Sequence, residues 1–276
     1  MLPETKKQTS VIKEIFSTIG TFAAKTFKAV AAWPVWSVLR EQLRWKNLRP
    51  KLETVCSAVK TFTKEQPRTA AFIYVCLFCS FSIAFLDAPL ADAVLNRDRN
   101  RFLLILEDIN PSGWWFLILS AVWLFFTVKA GLSLTTESFE RSLANARMTA
   151  FILLTVAVSS AVTIFLNILI GRYTPYFMIK MDITGFSPFR FRLSEISFPS
   201  FGAQSIWAVA CAAGHVLPKL KKAFYAAACV ESAALPLTGM CFLSDAVFGA
   251  YIGVVMFSVA RWIVSEERGN DPIFTR

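Results

Sequence analysis

Asn167-Ile168-Leu169-Ile170-Gly171-Arg172-Tyr173-Thr174-Pro175 closes the longest uncharged run in the chain, which begins at Met148. From Met148 to Ile170 the run is long enough to cross a bilayer core, which needs roughly 20 apolar residues per helix. Other uncharged apolar runs lie on both sides of it, at Thr69–Leu86, Trp114–Val128, Phe201–Leu217 and Ala246–Ala260. A sixth, Ala223–Gly239, contains Glu231. Apolar residues make up 55% of the chain, too many for a soluble domain of this length to hide in one core. The sequence therefore predicts an all-α, polytopic membrane protein with six spans. Several runs fall a little short of the usual length.

The net charge of +10 is concentrated before the first span, from Lys6 to Arg68. A basic flank marks the cytoplasmic side. Alternation then places the loops 134–147 and 218–222 and the tail inside, with both termini cytoplasmic. The opposite loops carry fewer cations and balance them with acids, as in Asn96–Asp108. This distribution excludes a nucleic-acid partner as the reason for the charge and favours anionic lipid headgroups at the inner face. A bacterial inner membrane suits the topology, and an organellar or endoplasmic membrane also fits it.

Three regions follow: 1–66, a basic interfacial segment; 67–264, the membrane domain; and 265–276, a cytoplasmic tail. In the first, Ile12, Ile15, Phe16, Ile19, Phe22, Ala23, Phe27 and Val30 recur at helical spacing, with Lys13, Lys25 and Lys28 largely opposite them. That is an amphipathic helix lying in the membrane interface, and Trp33, Trp36 and Trp45 suit the headgroup layer. Pro34 is expected to interrupt it. A second basic piece runs from Val38 to about Thr63 and is expected to break at Pro50. This region is an inner-leaflet anchor or a docking arm for a partner. Six cysteines, most within apolar runs, imply no disulfide framework.

Two further stretches complete the pattern begun at Asn167. They are Phe198-Pro199-Ser200-Phe201-Gly202-Ala203-Gln204-Ser205 and Gly239-Met240-Cys241-Phe242-Leu243-Ser244-Asp245-Ala246-Val247-Phe248-Gly249. In order and spacing the three stretches resemble the signature blocks of the phosphatidic acid phosphatase type 2 superfamily. The likeness covers residues 96–264 and includes a lead-in from Asn100 to Trp115. It implies a six-helix transmembrane bundle of the lipid phosphatase type, with the site at the periplasmic ends of three helices. N-terminal amphipathic helices precede that bundle.

In that family the blocks supply a Lys and an Arg that hold phosphate, then a Ser, a backbone amide and an acid His. The third block adds another cation and a nucleophilic His held by an Asp. Phosphoryl transfer is mostly positioning and charge stabilisation, so cations and donors are required. Here Asn167 stands where the Lys belongs and Thr174 where the Arg belongs. Gly202 replaces the acid His, Leu235 occupies the later cation position and Cys241 that of the nucleophile. Pro175, Pro199, Ser200, Gly239, Asp245 and Gly249 match the family.

The resemblance thus implies a degenerate, non-catalytic member. Such a protein binds a lipid or polyprenyl phosphate, or serves as a scaffold or regulatory subunit for a membrane protein partner or for copies of itself. Arg172, Arg190, Arg192 and Ser200 are the candidates to hold phosphate, and no cofactor or metal is called for. The rival reading is an active phosphatase or phosphotransferase with an altered site using Cys241, Ser200 and Asp245. It requires Cys241, Ser200 and at least one of the arginines to converge. The non-catalytic reading instead pairs Asp245 with Arg172 and fills the old phosphate volume with Phe201. The only histidine, His215, falls at the opposite end of its span and is read as structural. Glu231 is read as a buried, bonded carboxyl, and a transporter role would rest on it alone. The segment Arg172–Pro199, with Phe189-Arg190-Phe191-Arg192, reads as a lid at the bilayer surface or a partner-binding loop.

Overall fold

A computed structural model describes residues 45–95 and 114–268. The first amphipathic helix, the lead-in up to Gly113 and the end of the tail lie outside the described residues. The chain divides into two compact units, Met1–Ala71 and Phe72–Arg276.

In the first unit, helix α1 (Trp45–Glu65) runs unbroken across position 50, where the sequence predicts a break. Proline there lacks the N–H for one bond of the helical ladder, and the helix continues past it. Arg49 and Glu53, one turn apart, pair at 3.0 Å on its exposed surface. Helix α2 (Pro67–Phe85) begins in this unit, and its residues from Phe72 onward belong to the second.

The second unit is built from α3 (Asp87–Leu95), α4 (Trp114–Gly131), α5 (Thr136–Ile170), α6 (Pro175–Met181), α7 (Phe201–Val216), α8 (Lys221–Leu237) and α9 (Leu243–Arg268). Among the described residues, four helices are long and apolar enough to cross a membrane: α2, α4, α5 and the Leu243–Val264 part of α9. The other two expected spans are α7 and α8, with 16 and 17 residues. All six apolar runs are therefore helices, and no strand forms among the described residues.

Helix α5 is longer than expected. Residues 136–147, read as part of a loop, continue it toward the N-terminus. Thr135 caps the first turn by accepting from the Ser138 amide, and Glu137 pairs with Arg141 one turn on at 3.3 Å. Ser142 and Ala146 are buried at helical spacing, so this extension is packed.

The core centres on α7, which packs against α9, α8 and α5. Its small side chains permit close approach: Ala203, Ala208, Ala210, Ala212 and Ala213 are all buried. Without a difference in apolarity between lipid and helix, such contacts are what hold membrane helices together. Gly249 and Gly253 on α9 let it lie against the α7 backbone; a Cβ on Gly249 would come within 2.4 Å of the Ser200 carbonyl oxygen. A polar seam joins α5 to α7, where buried Gln204 donates to Ser159 Oγ and accepts from Ser205 at 3.3 Å.

Candidate functional site

The start of α7, the end of α5 and the turn between α8 and α9 meet at one end of the bundle. Each is fixed there by local chemistry. Ser200 caps α7, its hydroxyl accepting from the Ala203 amide at 3.3 Å. Gly171 ends α5 with φ of 61°, a conformation glycine adopts freely. A Cβ there would also sit 1.8 Å from the Ser187 carbonyl oxygen, so only glycine fits. Asn167 ties α5 to the second stretch, its Nδ2 donating to Pro199 O at 3.0 Å and to Thr163 O at 3.1 Å.

Residues 172–174 are clamped between two backbone segments. Ser197 N donates to Arg172 O at 2.8 Å, and Thr174 N donates to Glu195 O at 3.1 Å. On the other flank Ser187 N donates to Gly171 O at 2.8 Å and Tyr173 N to Gly185 O at 3.2 Å. This clamp turns Arg172 inward, where it is 7% exposed.

Arg172 is the hub of a buried ionic network. Its Nη1 donates to Asp245 Oδ1 at 2.5 Å and to Ser244 Oγ at 2.7 Å, and its Nη2 donates to Asp87 Oδ2 at 2.8 Å. Phe242 lies under the guanidinium at 4.0 Å. Asp87 also accepts from Ser82 Oγ at 2.7 Å, Ser244 Oγ at 2.5 Å and Ser244 N at 3.2 Å. Burial alone would raise the Asp87 pKa. The bonds from Ser244, Ser82 and Arg172 outweigh it and hold the carboxyl below the usual range. Asp245 Oδ2 accepts from the Phe242 amide at 3.0 Å, closing the turn before α9.

Beside this network lies a cavity of about 590 Å³. Asn167, Thr174, Gly202, Leu235 and Cys241 all line it, as does Ser200. Phe201 lines it too but does not fill it. None of the described lining residues is charged or a histidine. A second cavity of about 210 Å³ is bordered by Asp87, Arg172 and Phe242. Among the described residues no group of three or more His, Cys, Asp or Glu is placed to hold a metal ion.

The comparisons with known proteins agree with this geometry. The family model described as PAP2 superfamily matches residues 149–268. A transmembrane PAP2-type phosphatidylglycerolphosphate phosphatase from Bacillus subtilis has a similar crystal structure, with a TM-score of 0.51 at 17% identity. The match covers 74% of this chain and 98% of that one. Residues 149–268, which hold all three stretches, are therefore similar to the PAP2 superfamily, and the bundle has the fold of that transmembrane phosphatase. No curated protein matches it by sequence.

The five motif positions named by the resemblance converge on a single cavity. The four candidate phosphate-holding residues do not. Only Ser200 lines the cavity, while Arg172 is held by two carboxylates. Arg190 donates through Nε to Glu195 Oε2 at 2.7 Å and through Nη1 to the Tyr173 hydroxyl at 2.8 Å. Arg192 donates to Glu195 Oε1 at 3.2 Å. Glu195 is held below its usual pKa first by Arg190, against a burial effect, and then by Arg192.

Cys241 and Ser200 share the cavity, but the thiol sits in poor surroundings for a nucleophile. Burial pushes its pKa up strongly, and the Asp245 carboxylate adds to the effect. His215 lies near the far end of α7, about 22 Å along the helix from Ser200. It is packed between Phe151 and Phe257, with ring centroids at 5.9 and 5.8 Å. Glu231 is half-buried on α8, and among the described residues no hydrogen-bond or ion-pair partner for it is seen. Asp87 is the functional-site residue that the sequence reading missed. Its one signal was an acid directly following the apolar run Thr69–Leu86.

Proposed function

We propose that this chain is a non-catalytic, PAP2-like integral membrane protein that uses its remnant cavity to hold a lipid and serves as a scaffold or regulatory subunit. One observation carries the reading. The cavity collects Asn167, Thr174, Ser200, Gly202, Leu235 and Cys241, yet no described residue lining it is cationic or an imidazole. Phosphoryl transfer needs charge stabilisation on the equatorial oxygens and a group to attack phosphorus. The arginines named by the sequence are already committed to Asp87, Asp245 and Glu195.

The test is phosphate release by purified protein from phosphatidic acid, undecaprenyl pyrophosphate and lipid A, and none is expected. Turnover that disappears in Ser200→Ala or Cys241→Ala would replace this reading with the enzymatic one. That second reading has one observation in its favour: Ser200 and Cys241 do line the same cavity. The third group it requires, an arginine at that spot, lies elsewhere.

A further inference from the structure

We infer that the cavity selects an uncharged lipid alcohol, a hydroxyl headgroup on a hydrocarbon body, over the corresponding lipid phosphate. The inference rests on the binding role proposed above and names the ligand class for that site.

Asn167 carries the argument. It is 5% exposed and lines the cavity. Its amide nitrogen sits between two backbone carbonyls, Thr163 O and Pro199 O, so both hydrogens are used and the flip of the amide is fixed. Its Oδ1 is therefore the atom left over, and it accepts no hydrogen bond among the described residues. That oxygen is reachable from the cavity that Asn167 lines, so a ligand that brings a hydrogen can bond to it. An alcohol O–H does this. A phosphate oxygen presents a second acceptor to the first, and the two repel.

The surrounding groups extend the same preference. The Ser200 hydroxyl accepts from Ala203 N and is hydrogen-bonded to the Cys241 side chain, a neutral pair at the cavity wall. Thr174 makes no capping bond with its side chain, so that hydroxyl is free to give or receive one. Together they supply both donors and acceptors for one neutral headgroup, alongside the apolar surface of Leu193, Leu235 and Met240.

The charge balance points the same way. In residues 171–200 the cations are Arg172, Lys180, Arg190 and Arg192, and the anions are Asp182 and Glu195. Adding the buried Asp87 and Asp245 brings the sum to zero. No described residue lining the cavity is cationic, so a buried phosphate would find no counter-charge at the wall, and burying an uncompensated anion is strongly unfavourable. The cavity volume of about 590 Å³ falls within the range of sites for small ligands, roughly 300–1,000 Å³. Leu193 at one wall is 47% exposed. An apolar lip of this kind admits a ligand from the membrane.

The test is equilibrium binding to the full chain in detergent micelles, read by native mass spectrometry. The probes are dioctanoylglycerol against dioctanoyl phosphatidic acid, and farnesol against farnesyl phosphate. The two pairs distinguish a glycerolipid from an isoprenoid source. At least one alcohol is expected to bind tenfold or more tightly than its phosphate. Thr174→Phe, which fills the cavity without removing a hydrogen bond, is expected to weaken that alcohol at least tenfold. Gly202→Phe serves as the second filling variant should the first fail to fold. Equal or tighter binding of the phosphates overturns the inference, as does binding of neither class or alcohol binding that both filling variants leave unchanged. Phosphate release in the separate turnover assay would instead overturn the non-catalytic reading, so the two failures are distinguishable.

Discussion

Arg172 and Asp87 stand 85 positions apart in the chain and meet at 2.8 Å, both almost fully buried. The contact joins the end of α5 to the start of α3, and Ser244 at the start of α9 bonds to both residues. With Asp245 opposite, the guanidinium satisfies two carboxylates at once. A planar fork of donors can do this, whereas a point charge cannot. The cation that looked available to hold phosphate is therefore the tie between three elements of the bundle.

Removing that tie leaves two buried anions with no counter-charge. Breaking a buried pair in this way costs about 3–5 kcal/mol. Arg172→Ala is expected to lose about that much in denaturant titrations in mixed micelles. Arg172→Lys is expected to recover only part of it, because one ammonium cannot bridge both carboxylates. Wild-type stability in Arg172→Ala would mean that the network is not holding the bundle together.

Acid should undo the same knot. The Asp87 carboxyl is held below its ordinary value, so its charged form favours the folded state. That contribution is fully present above the unfolded carboxyl value of about 3.9 and is lost as pH falls through the lower folded value. Melting temperature is expected to be flat with respect to this group from pH 8 to 5 and to fall below about pH 4. Asp87→Asn should flatten the acid limb while lowering stability at neutral pH. An acid limb unchanged by Asp87→Asn would assign the transition to other groups.

Much of this arrangement was legible from residue order, and the reasons are physical. Apolar runs must become helices in a bilayer, so all six were readable as runs. The converging positions Asn167, Thr174, Ser200, Gly202, Leu235 and Cys241 were readable only through the resemblance of the three stretches to the family's blocks. The continuous helix through 136–147 was hidden, since its charged surface resembles a loop and its packing residues Ser142 and Ala146 are small and weakly apolar. Asp87 was hidden for another reason. A lone acid after a span says nothing of a partner 85 positions away. Whether a cation is free or already bonded is a property of the folded chain, and Arg190, Arg192 and Glu195 show it as clearly as Arg172 does.

Helix contact offers an independent check. A Cβ on Gly249 would meet the Ser200 carbonyl oxygen at 2.4 Å, and one on Gly253 would meet Gln204 O at 2.6 Å. Both obstacles are backbone atoms and cannot swing aside. Gly249→Ala and Gly253→Ala are each expected to destabilise by about 1–3 kcal/mol. Gly131→Ala, with nothing within 4 Å, should be neutral or slightly stabilising. Equal tolerance at all three positions, measured by thermal aggregation in detergent, would contradict the close α7–α9 packing.

The thiol at Cys241 should be inert. It is 4% exposed, and burial keeps it protonated at neutral pH. Cys56, by contrast, is exposed. Maleimide at pH 7.5 is expected to label Cys56 within minutes and to reach Cys241 only after denaturation, as mapped by peptide mass spectrometry. Labelling of Cys241 as fast as Cys56 in the folded protein would restore it as a candidate nucleophile.

Charge returned to the cavity should change what it holds without creating turnover. Thr174 lines the cavity, makes no side-chain capping bond, and stands where the PAP2 pattern has its arginine. A guanidinium introduced by Thr174→Arg would face Ser200 and Cys241 with no carboxylate among the described lining residues to neutralise it. A hydrogen bond to a charged group contributes about 1.5–3 kcal/mol, which corresponds to roughly a tenfold to hundredfold gain in affinity. Dioctanoyl phosphatidic acid is therefore expected to bind Thr174→Arg at least tenfold more tightly than the parent protein. Phosphate release should stay at background, since the substitution supplies a cation but neither an attacking imidazole nor an acid for the leaving oxygen. Unchanged phosphatidic acid binding would show that the cavity is not where a phosphate can be held. Turnover by Thr174→Arg would show that Cys241 or Ser200 retains nucleophilic competence after all.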